Sequence, residues 1–304
     1  MNTIVEPINI IIQGYSERTN QLFKFLKIKS NITYFPEENK EYFKLLKSAN
    51  VVITMNWGKS MWNTNSDISF DELDNLSLIQ LPGAGLDGID FNKVPNGCNV
   101  CNVYEHHIPI AEYCIATMLN YEIKLFEKNF RFKKLDWKDS IIFSGKTHSE
   151  LYNKKVGILG YGRIGKEIAR KLSVFNTKNI AITRKRISID ENLMSFILTK
   201  DIHKILSSLD YLIIACPLNK STKNLINKEK FDLMKNSSVI INVGRGPVIN
   251  EDALYNALIN KTIGGAIIDT WYKYPKNKSN NFSSPSKYDF HKLKNVFITP
   301  HISA

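Results

Sequence analysis

The sequence predicts the α/β class: two doubly wound, parallel-sheet lobes in one chain of 304 residues. Three observations carry that prediction. Short apolar runs alternate with amphipathic stretches along the whole chain, the pattern of strands covered by helices. One apolar run, Lys155-Val156-Gly157-Ile158-Leu159, breaks into Gly160-Tyr161-Gly162-Arg163-Ile164-Gly165 and reopens as an amphipathic stretch. The length suffices for two domains with their own cores, and 43% hydrophobic residues with 11% aromatics exclude a disordered chain.

In chain order, Ile8 to Gln13 reads as a buried strand and Arg18 to Ile28 as an amphipathic helix with Leu22, Phe25 and Leu26 on one side. Val51 to Met55, Leu76 to Leu81 and Asn99 to Val103 read as further strands. In such sheets ligand loops lie at the carboxyl ends of the strands. That singles out Asn56-Trp57-Gly58 and Pro82-Gly83-Ala84-Gly85-Leu86-Asp87-Gly88. The second loop offers successive backbone N–H groups to a small carboxylate, or is a plain connection. Trp57 and Trp62 read equally as packing residues and as substrate contacts. A long helix from about Pro109 puts Ile110, Cys114, Met118 and Leu119 on one apolar face and links the lobes, with His106 and His107 before it as local polar residues. The first lobe spans residues 1–103 and the second 104–304.

The second lobe opens on the glycines. Gly160 makes a tight turn, Gly162 lets backbone approach a pyrophosphate, and Gly165 lets helix pack on strand, the spacing of a dinucleotide site. The phosphates sit on the free N–H groups and positive end of the helix starting near Arg163. Behind it, Ile164, Ile168, Ala169 and Leu172 form a helical apolar stripe. The next strand, Asn179 to Thr183, ends on Thr183-Arg184-Lys185-Arg186, where an NAD-selective site carries a carboxylate for the ribose 2′-hydroxyl. A guanidinium there accepts a 2′-phosphate, so NADP(H) is expected, with NAD(H) as the alternative. Further strands are expected at Tyr211 to Cys216, Ser238 to Val243, Ala266 to Asp269 and Val296 to Thr299, and helices at Ile202 to Leu209, Lys228 to Met234 and Glu251 to Leu258. Lys276 to Lys287, rich in Asn, Ser and Lys, reads as a mobile surface loop.

The net charge of +12 comes from lysines scattered along the chain rather than gathered in a stripe, so no nucleic-acid partner is expected. No apolar run approaches the ~18 residues of a membrane span, and a cytoplasmic protein is expected. Cys98 and Cys101 form a C-x-x-C without a second pair, so neither a metal nor a redox role is assigned to them.

Chemistry is expected at two strand ends of the second lobe. Asn242-Val243-Gly244-Arg245-Gly246-Pro247 delivers a guanidinium, and Thr299-Pro300-His301 an imidazole. Taken singly, each is equally a surface residue. Taken together they suit reduction of a 2-oxo acid: Arg245 holds the carboxylate and polarises the carbonyl, and protonated His301 gives its proton to the oxygen as hydride reaches carbon.

From about Leu76 to Ala304 the chain resembles the D-isomer-specific 2-hydroxyacid dehydrogenases, on seven ordered motifs. These are Gly83-Ala84-Gly85-Leu86-Asp87, Ile110-Ala111-Glu112-Tyr113, Gly160 to Gly165, Cys216-Pro217-Leu218, Gly244-Arg245-Gly246, Ile268-Asp269, and Thr299-Pro300-His301-Ile302-Ser303. The resemblance implies a flavodoxin-like substrate lobe and a Rossmann nucleotide-binding lobe. It also implies a homodimer formed through the linking helix, and glyoxylate or hydroxypyruvate as the type of substrate. It makes Arg245 the substrate-binding arginine, His301 the acid/base, and Gly83, Ala84 and Gly85 the carboxylate cradle. Cofactor contacts are implied at Gly160, Gly162, Arg163, Ile164, Thr183, Arg184, Lys185, Cys216, Pro217 and Val243, and at Asp269 as partner of the nicotinamide carboxamide. Two departures stand out. Tyr274, before Pro275, replaces the glutamate that pairs with the histidine, which should move turnover to lower pH. The chain also stops at Ala304, without the helix that returns to the first lobe, as a truncated product or fragment would. The alternatives are a non-catalytic dinucleotide sensor like the family's corepressors, and a formate dehydrogenase-like enzyme.

Overall fold

The computed structural model describes residues 6–13, 24–35, 42–58, 70–143, 145, 147–275 and 283–304. The chain divides into two compact units, Met1–Tyr104 and Glu105–Ala304.

The first unit is a five-stranded parallel sheet of β1 (Ile8–Gln13), β2 (Ser30–Phe35), β3 (Val51–Ile53), β4 (Leu78–Gln80) and β5 (Asn99–Cys101), with helix α1 (Tyr42–Ser48). The strand order is β2-β1-β3-β4-β5, the flavodoxin-like arrangement in which the order reverses beside β1. Ile11, Leu46, Val52, Trp57, Ile79 and Leu81 form its core. The helix expected at Arg18 to Ile28 falls largely outside the described residues. Residues 24–29 are a turn and irregular chain rather than helix, and Phe25 is 80% exposed there.

The second unit begins with α2 (His107–Ile123) and α3 (Leu125–Phe132). A seven-stranded parallel sheet follows: β6 (Lys155–Leu159), β7 (Lys178–Thr183), β8 (Ser195–Leu198), β9 (Tyr211–Ile214), β10 (Val239–Asn242), β11 (Gly265–Ile268) and β12 (Val296–Ile298). Its helices are α4 (Arg163–Ser173), α5 (Lys228–Asp232) and α6 (Glu251–Ile259). The order β12-β11-β10-β9-β6-β7-β8 is doubly wound, and it reverses between β6 and β9. In an open sheet of this kind that switch point is where ligands bind. Strands β9, β10 and β11 are buried at every residue, as a sheet covered on both faces requires. α2 packs along α4 on one face, over Cys114, Met118, Ile158, Ile168 and Leu172. α5 and α6 cover the other, over Phe231, Ile240, Leu254 and Ala266.

Two expectations need correction. Ile202 to Leu209 is not an α-helix but two 3₁₀ segments, Thr199–Lys204 and Leu206–Ser208, with Ile205 between them. The segment Lys276 to Lys287 lies partly outside the described residues, but its end is no loose loop. Ser286 is 3% exposed, donates its hydroxyl to Glu251 Oε1 at 2.6 Å, and lies beside Lys287, whose N–H donates to the same oxygen at 2.9 Å. Among the described residues no helix is long and apolar enough to cross a membrane.

Candidate functional site

At the switch point the three glycines differ in what surrounds them. Gly160 has φ +99°, and a Cβ there would lie 2.8 Å from both Cα and N of Cys216, so the turn is pressed against the end of β9. A Cβ on Gly165 would lie 2.1 Å from the carbonyl oxygen of Gly160, which welds α4 to the turn. A Cβ on Gly162 would meet nothing within 4 Å. Gly162 caps α4, and Arg163 and Ile164 form its first turn, whose N–H groups have no partner within the helix. Strand, open glycine and helix start thus fit a pyrophosphate.

Beside the turn lies a cavity of about 740 Å³, lined by Gly160, Tyr161, Thr183, Arg184, Lys185, Cys216 and Pro217, among others. Its volume is in the range of small-molecule sites. Thr183 is buried and donates its hydroxyl to the carbonyl of Lys185 at 2.6 Å, which folds the chain tightly after β7 and leaves Arg184 and Lys185 exposed. The Tyr161 hydroxyl reaches Asp190 Oδ2 at 2.9 Å, tying the glycine turn to the loop that carries the cations. The Cys216 thiol is 7% exposed, and burial pushes its pKa up to about 11. Pro217 is exposed, and its carbonyl accepts the Thr222 hydroxyl at 2.7 Å.

At the other end of the same carboxyl edge, the loop after β10 follows Val243, itself 5% exposed. Asn242 organises it: its Oδ1 accepts the Gly244 N–H at 3.1 Å and its Nδ2 donates to the Arg245 carbonyl at 3.1 Å. Arg245 is half-buried and donates from Nη1 to the Gly244 carbonyl at 2.9 Å. A Cβ on Gly246 would stand 2.4 Å from the Trp271 carbonyl oxygen, so this loop lies directly against the one after β11.

The loop after β11 meets the end of β12 through Asp269, which is fully buried. Its Oδ1 accepts the Thr299 hydroxyl at 2.6 Å and the Ile302 N–H at 2.8 Å, and its Oδ2 accepts the Ser303 N–H at 3.0 Å. Between these clamped residues sits His301, exposed and with φ +59°. An L-residue adopts that left-handed conformation only at a cost, so the clamp holds the imidazole where the free chain would not. The Tyr113 hydroxyl of α2 lies 2.6 Å from Thr299 Oγ1, and the Trp271 indole N–H donates to the Thr299 carbonyl at 2.8 Å. Burial raises the pKa of Tyr113 well above the ordinary phenol value, so it stays protonated. Tyr274 stands beside His301, ring centroids 5.5 Å apart and tilted by 46°, and its hydroxyl accepts the Trp271 N–H at 3.0 Å.

The structure therefore brings Asp269, Tyr274 and His301 together and sets the Arg245 loop against the backbone of Trp271 and Tyr272 beside them. Asp269 also has a role inside the chain that was not expected: both its carboxylate oxygens accept hydrogen bonds from the segment around His301, so it clamps the histidine loop. Thr299, Tyr113 and Trp271 were not singled out as site residues. Thr299 and Tyr113 lie inside motifs already quoted, whereas nothing local marks Trp271.

In the first unit, the Asn102 side chain donates to the Ala84 carbonyl at 2.9 Å and the Val103 N–H to the Gly83 carbonyl at 3.3 Å. A Cβ on Gly83 would touch Met55 Cε at 3.0 Å. Among the described residues no acceptor takes the N–H of Gly83, Ala84 or Gly85, so the loop can present them to an anion. Trp57 is corrected to a packing residue. Its ring is 0% exposed, its indole N–H donates to the Lys93 carbonyl at 2.8 Å, and it packs on Phe70 at 5.3 Å. Trp62 lies outside the described residues.

A family model described as D-isomer specific 2-hydroxyacid dehydrogenase, NAD binding domain, matches residues 115–303. A glyoxylate reductase of Pyrococcus furiosus is 36% identical over 155 residues, 51% of this chain and 43% of that protein, so the matched part is under half of the relative's length. A hydroxypyruvate reductase of Thermotoga maritima is 28% identical across 88% of this chain and 82% of its own. Among solved structures, a D-isomer specific 2-hydroxyacid dehydrogenase family protein of Aeromonas salmonicida superposes with a TM-score of 0.78 at 21% identity, covering 99% of this chain and 90% of that one.

Proposed function

The chain belongs to the D-isomer specific 2-hydroxyacid dehydrogenase family, and from that premise we propose that it is an NADPH-dependent oxidoreductase interconverting a small 2-oxo acid of the glyoxylate or hydroxypyruvate kind and its D-2-hydroxy acid. The observation that carries this reading is the clamp on the His301 backbone just past β12, with the Arg245 loop packed on the neighbouring loop after β11. NADPH supplies the hydride when bound. Arg245 holds the substrate carboxylate and draws electron density from the carbonyl, and His301 gives a proton to the carbonyl oxygen from its ring nitrogen. In the first unit, Gly83, Ala84 and Gly85 offer backbone N–H groups suited to a carboxylate. Tyr274 contributes no negative charge beside the imidazole, so the protonated form is less favoured than with a carboxylate partner, and turnover should weaken as pH rises. Arg184 and Lys185 support the 2′-phosphorylated cofactor over NADH.

The test is NADPH oxidation with glyoxylate, hydroxypyruvate and pyruvate. His301→Ala should lower kcat by about 10²- to 10⁴-fold while the NADPH dissociation constant stays put. Undiminished turnover in that variant refutes the assignment. A second reading, a dinucleotide sensor without turnover, draws support from the neutral Tyr274. Tight NADPH binding with no oxo acid reduced selects it.

The partner proposed is a second copy of the chain, set against α2 and the segment after it. Phe126, Phe130, Ile141 and Ile142 are 59%, 62%, 77% and 78% exposed, an apolar surface unusual for a monomer. Arg131 holds that segment together through Asp139 at 2.9 Å. Ile141→Asp with Ile142→Asp should convert dimer to monomer in sedimentation.

A further inference from the structure

We propose that Lys200 is a third cationic ligand for the 2′-phosphate of NADPH, completing with Arg184 and Lys185 a subsite built from two adjacent strand ends. The proposal rests on the NADPH reading above and adds a residue outside the stretch that suggested it.

The register of the sheet brings the three together. β7 and β8 are parallel, and Thr183 pairs with Leu198. Arg184 and Lys185 therefore leave the sheet alongside Thr199 and Lys200, at the roughly 4.8 Å spacing of neighbouring strands. All four residues line the cavity beside the glycine turn. Arg186, further along the loop, is exposed and is not among the lining residues.

Charge points the same way. Among the described residues none of Arg184, Lys185 and Lys200 forms an ion pair. The acids nearby are engaged elsewhere. Asp201 follows Lys200 in the chain and feels its charge, but its hydrogen-bonded ion pair is with Lys204 at 2.8 Å. Asp190 takes the Tyr161 hydroxyl at 2.9 Å and the Asn192 N–H at 3.0 Å. Three like charges round one cavity repel one another, and a phosphate dianion between them relieves that repulsion while gaining charge-assisted hydrogen bonds. Arg184 can fork two donors onto the phosphate from one side, whereas Lys200 brings a compact charge from the next strand. A 2′-hydroxyl offers no such charge. Lys200 should therefore act on selectivity and leave the shared part of the nucleotide alone.

Calorimetry on the full chain at fixed ionic strength separates the possibilities, with NADPH against NADH and 2′,5′-ADP against 5′-AMP. Lys200→Ala should weaken NADPH and 2′,5′-ADP 5- to 10-fold and change NADH and 5′-AMP less than twofold. Lys200→Arg should keep most of the preference, and Lys200→Met, which retains the aliphatic stem, should behave like the alanine variant. Lys178→Ala, removing an exposed lysine at the opposite end of β7, should move none of the four. If the unaltered protein does not prefer the 2′-phosphorylated ligands, the NADPH reading itself falls. If it does prefer them and Lys200→Ala keeps the ratio, or weakens both members of each pair alike, the role of Lys200 alone is overturned.

Discussion

At the β7–β8 end of the seven-stranded sheet, Arg184 and Lys185 face a cavity without a carboxylate partner among the described residues, whereas at the β10–β12 end the polar groups round His301 are knitted to their own chain. One carboxyl edge is thus finished in two ways. The first end leaves charge uncompensated, so a ligand gains by supplying the opposite sign. The second has spent its hydrogen bonds on fixing the backbone that carries His301 and Arg245, the kind of support the proposed proton transfer needs. Selectivity and chemistry should accordingly come apart under mutation.

The sharpest attempt to break that division is Arg245→Ala. It should cost about 10²- to 10³-fold in kcat/KM toward 2-oxo acids, with NADPH affinity within twofold. An equal loss in cofactor binding would erase the distinction between the two ends. Replacing Arg184 and Lys185 together by alanine should weaken NADPH about 10- to 100-fold, as expected for charge-assisted bonds, while the melting temperature barely moves because both side chains are exposed.

Asp269→Asn sharpens the comparison from the other side. The amide keeps one acceptor oxygen but sets an NH₂ against a backbone N–H of the histidine loop, at about 1–3 kcal/mol. Calorimetric melting should fall by roughly 2–12 °C and kcat by about tenfold, with NADPH binding retained. If binding weakens instead while kcat holds, Asp269 serves the cofactor and the clamp is incidental. The smallest effect concerns Cys216. With its pKa pushed up to about 11, only about one thiol in a thousand is thiolate at pH 8. Alkylation followed by mass spectrometry should be far slower there than at exposed Cys101, and should accelerate as pH rises toward that value.

The fold of the second unit was more legible than that of the first, for a physical reason. Its central strands are mostly apolar, and Gly160, Gly162 and Gly165 mark the turn that organises them. β2 and β8 escaped notice because each lies at an edge of its sheet, where Ser30-Asn31-Ile32-Thr33 and Ser195-Phe196-Ile197-Leu198 mix polar with apolar residues. The strand expected at Tyr211 to Cys216 ends at Ile214, because the next residues leave the ladder to meet Gly160. Residue types at the site were readable, but their partners were not. Asp269 finds the Ile302 and Ser303 N–H groups 33 and 34 residues away, and no local pattern announces a bond of that span. Trp57 was ambiguous for a related reason: an aromatic after a strand looks the same in sequence whether it faces a ligand or the core.

The hydroxyl pair of Tyr113 and Thr299 has a mechanical consequence. Tyr113 sits on the first helix of the second unit, and Thr299 directly follows its last strand, two residues before His301. That bond ties the helix to Thr299, and through Thr299 to the buried carboxylate that accepts the N–H groups on the far side of His301. Helix and histidine loop are thus joined through one hydroxyl pair, and Tyr113→Phe is the cut that would part them.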